Sequence, residues 1–207
     1  ARKKFWLDRK RTAAIARHTN AFKVNEDVVI PLPRMGEYTN GIERINIELS
    51  LRNKLDLLDA LQAFLSKGQL PLGRGDDAGE IPSAELLEDR VQQGLALLNE
   101  VRALWSFWLN GLDRVPDGED AGTGTARTVF EALQDGTLRA SWKTQVRKPL
   151  QAIFGGAAFA PILAECQRIH GEVLRGRVWV ALHMHAGDGN VHTNIPVNSD
   201  NYAMLQT

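Results

Sequence analysis

The stretch VWVALHMHAGDGNVHTNIPV, residues 178–197, decides the fold, because its side chains alternate with the period of two that β-strands show. Over 178–185 the four aliphatic or methionine side chains Val178, Val180, Leu182 and Met184 fall on one face, and over 190–197 Val191, Thr193, Ile195 and Val197 alternate with His192, Asn194 and Pro196. The Asp188-Gly189 pair between the two runs favours a two-residue hairpin turn, in which both positions need a positive φ. The stretch therefore predicts an antiparallel hairpin with strands at 178–185 and 190–197.

Three of the five histidines of the chain lie in this hairpin. A turn centred on Asp188-Gly189 would set His185 opposite His192. It would also set His183 opposite Asn194 on the same face, with directly opposed side chains ~5 Å apart. Two neutral imidazoles at that distance are a common start for a divalent-metal site, which would still need a third ligand. The alternative is a histidine-rich hairpin whose imidazoles only form hydrogen bonds.

The rest of the chain is mostly of helical period. A β-branched run before two prolines predicts a strand at 21–31. Apolar spacing and capping residues predict helices at 5–17, 36–66, 83–110, 126–135, 139–153 and 158–175, with another from about 199. The β-α-β-β-α order predicts an α+β fold with a ferredoxin-like antiparallel sheet that lacks its last strand. We expect one domain fragment over 1–207, with its α+β core at 1–66 and 178–207 and a helical insertion at 67–177.

The amino-acid composition argues against a nucleic-acid-binding protein and against a membrane-spanning one. Among the 207 residues, the 25 lysines and arginines balance the 25 aspartates and glutamates, so no nucleic-acid partner is expected from bulk charge. No apolar run approaches the ~18 residues of a membrane span. The single cysteine, Cys166, is expected to be buried and fits a reducing cytoplasm. The chain begins with Ala1 and stops just as a helix is expected, so we expect a piece of a longer protein.

The sequence HAGDGNVH, 185–192, resembles the His-x-Gly-Asp-Gly-Asn-x-His motif of the FAD-linked oxidase C-terminal domain. That domain occurs in flavoproteins such as D-lactate dehydrogenase, the glycolate oxidase flavin subunit and D-2-hydroxyglutarate dehydrogenase. Near the other end, FWLDR, 5–9, resembles the Trp-x-x-Arg of the family, and FKVNEDVVIPL, 22–32, resembles its Lys-x-Asp-(apolar)-Pro strand. The resemblance covers roughly 1–65 and 157–207, and the stretch between them matches no motif of the family.

The resemblance implies a role for five residues. His185 and His192 match histidines that bind a divalent metal, usually zinc, near the flavin, and they are the candidate catalytic residues. Arg9 and Lys23 match the cations that bind the substrate carboxylate, and Asn190 matches an asparagine at the pocket. The third metal ligand of the family is a downstream glutamate that this chain does not contain. Lys23 is followed by Val-Asn-Glu-Asp instead of the usual short spacing, so two acids compete for the Asp position.

The resemblance therefore implies the substrate-side, or cap, domain of an FAD-dependent oxidoreductase that oxidises a D-2-hydroxy acid such as lactate or glycolate. Hydride would pass to an FAD held mainly by an FAD-binding domain of the same parent chain, and the fragment alone would be inactive and bind no FAD. The alternatives are a metal-binding module without redox activity, a hydrolase that uses the two histidines and a carboxylate on a metal, and a structural interaction domain.

Overall fold

A computed structural model describes residues 21–74, 82–115, 127–185 and 187–198, without the side chains of 21–23 and 198. Within these ranges the chain combines several helices with one three-stranded antiparallel sheet, which confirms the α+β class. The expected helices at 5–17 and from 199, together with Arg9, lie outside the described residues.

The sheet consists of β1 (Ala21–Val29), β2 (Ala181–His185) and β3 (Asn190–Asn198). Its order is β1-β3-β2, so β3 lies in the centre and pairs antiparallel with both neighbours. Pro31 follows β1 closely, and a proline cannot donate to a further ladder hydrogen bond. All three predicted strands are therefore present, although β2 starts three residues later than its alternating pattern.

One face of the sheet is buried along its central strand, β3. Val191 and Val197 of β3 point to this face and are almost inaccessible to solvent. The first long helix, α1 (Met35–Leu65), contacts this face, where the hydroxyl groups of Tyr38 and Thr193 share a hydrogen bond of 2.9 Å. Alternation along β3 then turns the even-numbered side chains, including His192, to the opposite face.

A side-chain amide of α1 also fixes the chain just before β2. The Nδ2 of Asn46 donates to the carbonyl oxygen of Val180 at 2.8 Å, and its Oδ1 accepts from the Val180 N–H at 2.7 Å. The two bonds satisfy both backbone groups of a residue that has no ladder partner, as buried backbone groups require. Asn46 therefore sets where the hairpin strand enters the sheet.

The remaining helices follow their capping residues. Helix α2 (Ala84–Asn110) begins after Ser83, whose hydroxyl accepts from the Leu86 N–H at 3.2 Å. Helix α3 (Val129–Gln134) begins with a capping box between Thr128 and Glu131. Helix α5 (Ala160–Arg175) follows a short 3₁₀ turn at Ala157–Phe159.

The single helix predicted at 139–153 is wrong in its start and in its type. The segment begins at Trp142, because the Ser141 hydroxyl accepts from the Thr144 N–H and caps it there. The first part, Trp142–Arg147, is a π-helix, and only Lys148–Ile153 is an α-helix, α4. Apolar periodicity gives no signal for a π-helix, which is rare and is set by local packing.

The chain forms two compact units. One comprises 1–46 with 175–207 and contains the sheet, and the other comprises 47–174 and is helical. The helical unit has its own core, which includes Trp105 and Trp108, and Cys166 is buried in it as predicted. The description of 67–177 as an insertion within one substrate domain remains a prediction. Among the described helices, none has the length and apolar character that crossing a membrane requires.

Candidate functional site

The loop between β2 and β3 differs from the predicted two-residue turn. The Asp188 N–H donates to the carbonyl oxygen of His185 at 2.9 Å, and β3 begins only at Asn190. Four residues thus separate the paired strand ends, and Gly189, with φ 71°, is the one that returns the chain to the sheet. Loops of this length are usually built around a type I turn and end in a left-handed residue, which glycine adopts without strain.

The longer loop changes the predicted register. His183, and not His185, lies opposite His192, whereas His185 lies opposite Asn190. The predicted pairing of His183 with Asn194 is also wrong, since Asn194 lies opposite Ala181. Because the shift is two residues, each side chain keeps its face. The three histidines therefore still share one face of the sheet.

The imidazoles of His183, His185 and His192 form a compact triangle. Their ring centroids lie 5.6 Å apart for His183 and His185, 5.8 Å for His183 and His192, and 5.6 Å for His185 and His192. The rings of His183 and His192 are nearly parallel, while His185 meets both edge-on. The convergence of His185 and His192 on one face agrees with the geometry that the sequence predicts for a shared ligand.

A carboxylate from β1 completes this group. Asp27 lies directly opposite His192 in the β1–β3 pair, and its Oδ1 is 2.6 Å from the Nδ1 of His192. The Asp27 side chain is 68% exposed and that of His192 is 31% exposed, so the pair lies at the solvent boundary. We call Asp27, His183, His185 and His192 the histidine cluster.

Of the two acids that follow Lys23, only Asp27 belongs to the cluster. Glu26 lies opposite Thr193, on the face that α1 contacts. Sequence reasoning left the choice between these acids open, since the two are neighbours in β1. The spacing of Asp27 from Pro31 does not reveal its partner, which is 165 residues away in the sequence.

The structure describes the other predicted site residues, Asn190, Lys23 and Arg9, to different extents. Asn190 lies opposite His185 in β2 and opposite Val29 in β1, so it borders the cluster, and its role at a substrate pocket remains a prediction. The backbone of Lys23 pairs with Pro196 at the far end of β1 from the hairpin loop. Arg9 lies outside the described residues.

Two amides that sequence reasoning did not assign lie between Lys23 and the cluster. Asn25 and Asn194 are directly opposed in the β1–β3 pair, and the Asn194 Nδ2 donates to the carbonyl oxygen of His192 at 3.2 Å. Asn25 is exposed. The face beside the cluster is therefore lined with groups that donate and accept hydrogen bonds. Strand alternation places Asn194 on the face of His192 in the sequence analysis as well, but gives it no role there.

The histidine cluster contains side chains of the kind that bind a divalent ion, but it does not contain a complete set of ligands. Neutral imidazole is the commonest metal ligand, and one ring already has its second nitrogen engaged by a carboxylate, as in many metal sites. In the ranges that the structure covers, however, no three His, Cys, Asp or Glu side chains are arranged to hold a metal ion. Metal binding by His185 and His192 therefore remains a prediction, and such a site would need a third ligand from outside the described residues.

Compared with known proteins, the chain matches no protein-family model, no curated protein and no solved structure.

Proposed function

We propose that this chain forms the substrate side of an FAD-dependent oxidoreductase that oxidises a D-2-hydroxy acid such as lactate or glycolate. The observation that carries the proposal is the 5.6 Å distance between the His185 and His192 rings at an exposed hairpin. The resemblance of HAGDGNVH to a flavoprotein motif assigns these same two histidines to the reaction site. The structure brings His183, His185 and His192 equally close, and the motif selects two of these three histidines.

The architecture gives separate support. The sheet order β1-β3-β2, with α1 following β1, is compatible with a ferredoxin-like half-sheet to which further elements could be added. The face that carries the histidine cluster is the one opposite α1. An FAD-binding domain of the same parent chain would cover this polar face and exclude water from the reaction.

The side chains of the cluster suit the chemistry of a 2-hydroxy acid. Such a substrate has a carboxylate, which the cations Arg9 and Lys23 would bind, and an α-hydroxyl, which must lose its proton. An imidazole of His185 or His192 would accept this proton as a general base. Asn190, opposite His185, would hold the substrate oxygen in place through its amide.

Two absent groups would supply the remaining chemistry. FAD, when bound, would accept the hydride from the α-carbon. Zinc or another divalent metal, where it is held by His185, His192 and a third ligand, would instead lower the pKa of the substrate hydroxyl, and the coordinated imidazoles would then be ligands and not bases. With one cysteine and balanced charge, the protein would work in the reducing cytoplasm without nucleic acid as a partner.

The test uses the full-length parent protein purified with its flavin. Anaerobic addition of D-2-hydroxy acids should bleach the absorbance of the oxidised flavin with at least one acid of a panel that includes D-lactate and glycolate. The His192→Gln variant should slow this reduction by roughly 10²–10⁴-fold, the usual contribution of a general base. His170→Gln, a histidine of the helical unit, serves as the control and should bleach at the normal rate.

Absence of flavin from the full-length protein would overturn the proposal. Flavin that no hydroxy acid bleaches would overturn the substrate assignment. If the protein binds a divalent metal but no flavin, the alternative of a metal-binding module without redox activity would replace the proposed function.

A further inference from the structure

We propose that Asp27 is a positioning residue, which holds His192 in the tautomer protonated on Nδ1 and so leaves Nε2 as the reactive nitrogen of the histidine cluster. The inference uses the site of the proposed function. It does not depend on a flavin or a hydroxy acid, because it concerns the proton on one imidazole.

The contact itself assigns the proton. The Asp27 Oδ1 lies 2.6 Å from the His192 Nδ1, which is a short hydrogen bond of the charge-assisted kind. An ionised carboxylate can only accept hydrogen bonds, so the proton must be on the nitrogen. The ring nitrogen that faces away from Asp27, Nε2, is then the one with a free lone pair when the ring is neutral.

Among the described residues, no other group competes with Asp27 for a hydrogen bond to the His192 ring. Among the described residues, the His192 imidazole has no hydrogen-bond partner other than Asp27. Its other neighbours are the rings of His183 and His185, at centroid distances of 5.8 and 5.6 Å. The Asn194 amide donates to the backbone carbonyl of His192 and not to its ring.

The pairing of β1 with β3 keeps Asp27 next to His192. Asp27 and His192 are direct partners on neighbouring antiparallel strands, and the next residues on each side, Val28 with Val191 and Glu26 with Thr193, are paired as well. Directly opposed residues on paired strands keep their Cβ atoms about 5 Å apart, which holds the two side chains within reach of each other. The orientation of His192 is therefore coupled to the pairing of β1 with β3.

A contribution to folding stability is a poor explanation of the contact between Asp27 and His192. Ion pairs as exposed as this one contribute little to folding stability. A carboxylate that orients an imidazole has a chemical effect instead, because it fixes the tautomer, raises the basicity of the other nitrogen and stabilises the ring once it takes up a proton. A base or a metal ligand at His192 would need this effect.

The experiment measures the tautomer directly. Histidine labelled with ¹⁵N in the 207-residue chain gives long-range ¹H–¹⁵N correlations that separate protonated from unprotonated ring nitrogens. The spectra are recorded at a pH well above the ordinary imidazole pKa of about 6.5. Loss of one signal set in His192→Gln assigns the His192 ring among the five histidines.

The wild-type His192 should carry its proton on Nδ1, although free histidine in water prefers Nε2–H. Asp27→Asn keeps the shape of the side chain, but its amide can pair with either tautomer. The ratio of Nδ1–H to Nε2–H should therefore fall roughly fivefold or more. Glu26→Gln changes the adjacent acid on the other face of β1 and should leave the ratio unchanged.

Either of two results would overturn the inference. One is a wild-type His192 protonated on Nε2, and the other is a ratio that Asp27→Asn does not change. Both are read without flavin or substrate, so a failure of the proposed function leaves this test intact, and an Nε2–H tautomer would leave the bleaching test intact.

Discussion

Gly189 and Ile30 meet backbone to backbone at the end of the hairpin loop. The Ile30 N–H donates to the carbonyl oxygen of Gly189 at 2.8 Å, and a Cβ added at Gly189 would lie 2.3 Å from the Ile30 carbonyl oxygen. Gly189 also has φ 71°, a conformation that side chains other than glycine rarely adopt. Residue 189 is therefore fixed as glycine by β1 as well as by the loop.

Replacing Gly189 by alanine should destabilise the sheet by about 2–5 kcal/mol, the sum of a left-handed backbone penalty and an overpacking penalty. Hydrogen exchange followed by mass spectrometry should show faster exchange in the peptides that contain β2 and β3.

Gly187→Ala is the matched control for this prediction. Gly187 belongs to the same loop, but a Cβ there would meet no atom within 4 Å and its φ is not in the left-handed range. Exchange should stay close to that of the wild type. Equal acceleration by the two substitutions would contradict the role assigned to the Ile30 contact.

The same contact explains why the sequence predicts the strands but not their register. Alternating side chains are a local property, and they locate β2 and β3 well. The dipeptide Asp188-Gly189 is also a local signal, and it favours a two-residue turn. In the structure Gly189 meets the backbone of Ile30, which the local sequence around the turn does not show. The shift of two residues left the histidines on their predicted face, because strand alternation has a period of two.

Asp27 shows the other limit of sequence reasoning. Glu26 and Asp27 are consecutive acids of one strand, so they point to opposite faces. Which of them meets His192 depends on the pairing of β1 with β3, and that pairing joins residues more than 160 positions apart. Burial is easier to predict, and Cys166 is buried as expected because a free cysteine behaves as a small apolar side chain.

Cys166 should be unreactive in the folded protein. Its side chain is 2% exposed, and burial first, with the nearby Glu165 charge second, raises the pKa of its thiol to about 12. Only the thiolate is nucleophilic, so labelling by a thiol-specific reagent at neutral pH should occur at the rate of unfolding. The guanidinium-unfolded chain provides the control, where labelling should be fast. Rapid labelling under native conditions would contradict the burial of Cys166.

His170 should make the helical unit less stable in mild acid. Its ring stacks on Trp142 at 4.5 Å, and burial, followed by the positive charge of Arg147, lowers the pKa of His170 below 6.5. Between the folded and unfolded pKa values the unfolded chain binds more protons. The free energy of unfolding should therefore fall as the pH decreases below about 6.5.

His170→Phe keeps an aromatic ring beside Trp142 but cannot titrate. Urea denaturation at a series of pH values from neutral to mildly acidic should give a smaller loss of stability with this variant than with the wild type. Arg147→Gln should also reduce the loss, because it removes one of the two causes of the pKa shift. A variant profile parallel to that of the wild type would exclude His170 as the source.

The last prediction concerns Lys23, which the resemblance assigns to the substrate carboxylate. Its backbone lies on β1, four residues before Asp27, and β1 rises ~3.4 Å per residue, so the two residues are about 13 Å apart along the strand. A 2-hydroxy acid bound at His192 would need the full length of a lysine side chain to reach this position, with the Asn25 and Asn194 amides between them.

In the flavin-loaded parent protein, Lys23→Met should therefore raise KM for the acid by roughly 10–150-fold, the equivalent of one charge-assisted contact of about 1.5–3 kcal/mol. The value of kcat should change little, because this contact binds substrate and transition state alike. Steady-state kinetics would show the difference, with Lys148→Met, an exposed lysine of α4, as the matched charge control. A KM that Lys23→Met leaves unchanged would shift carboxylate binding from Lys23 to the nearer amides.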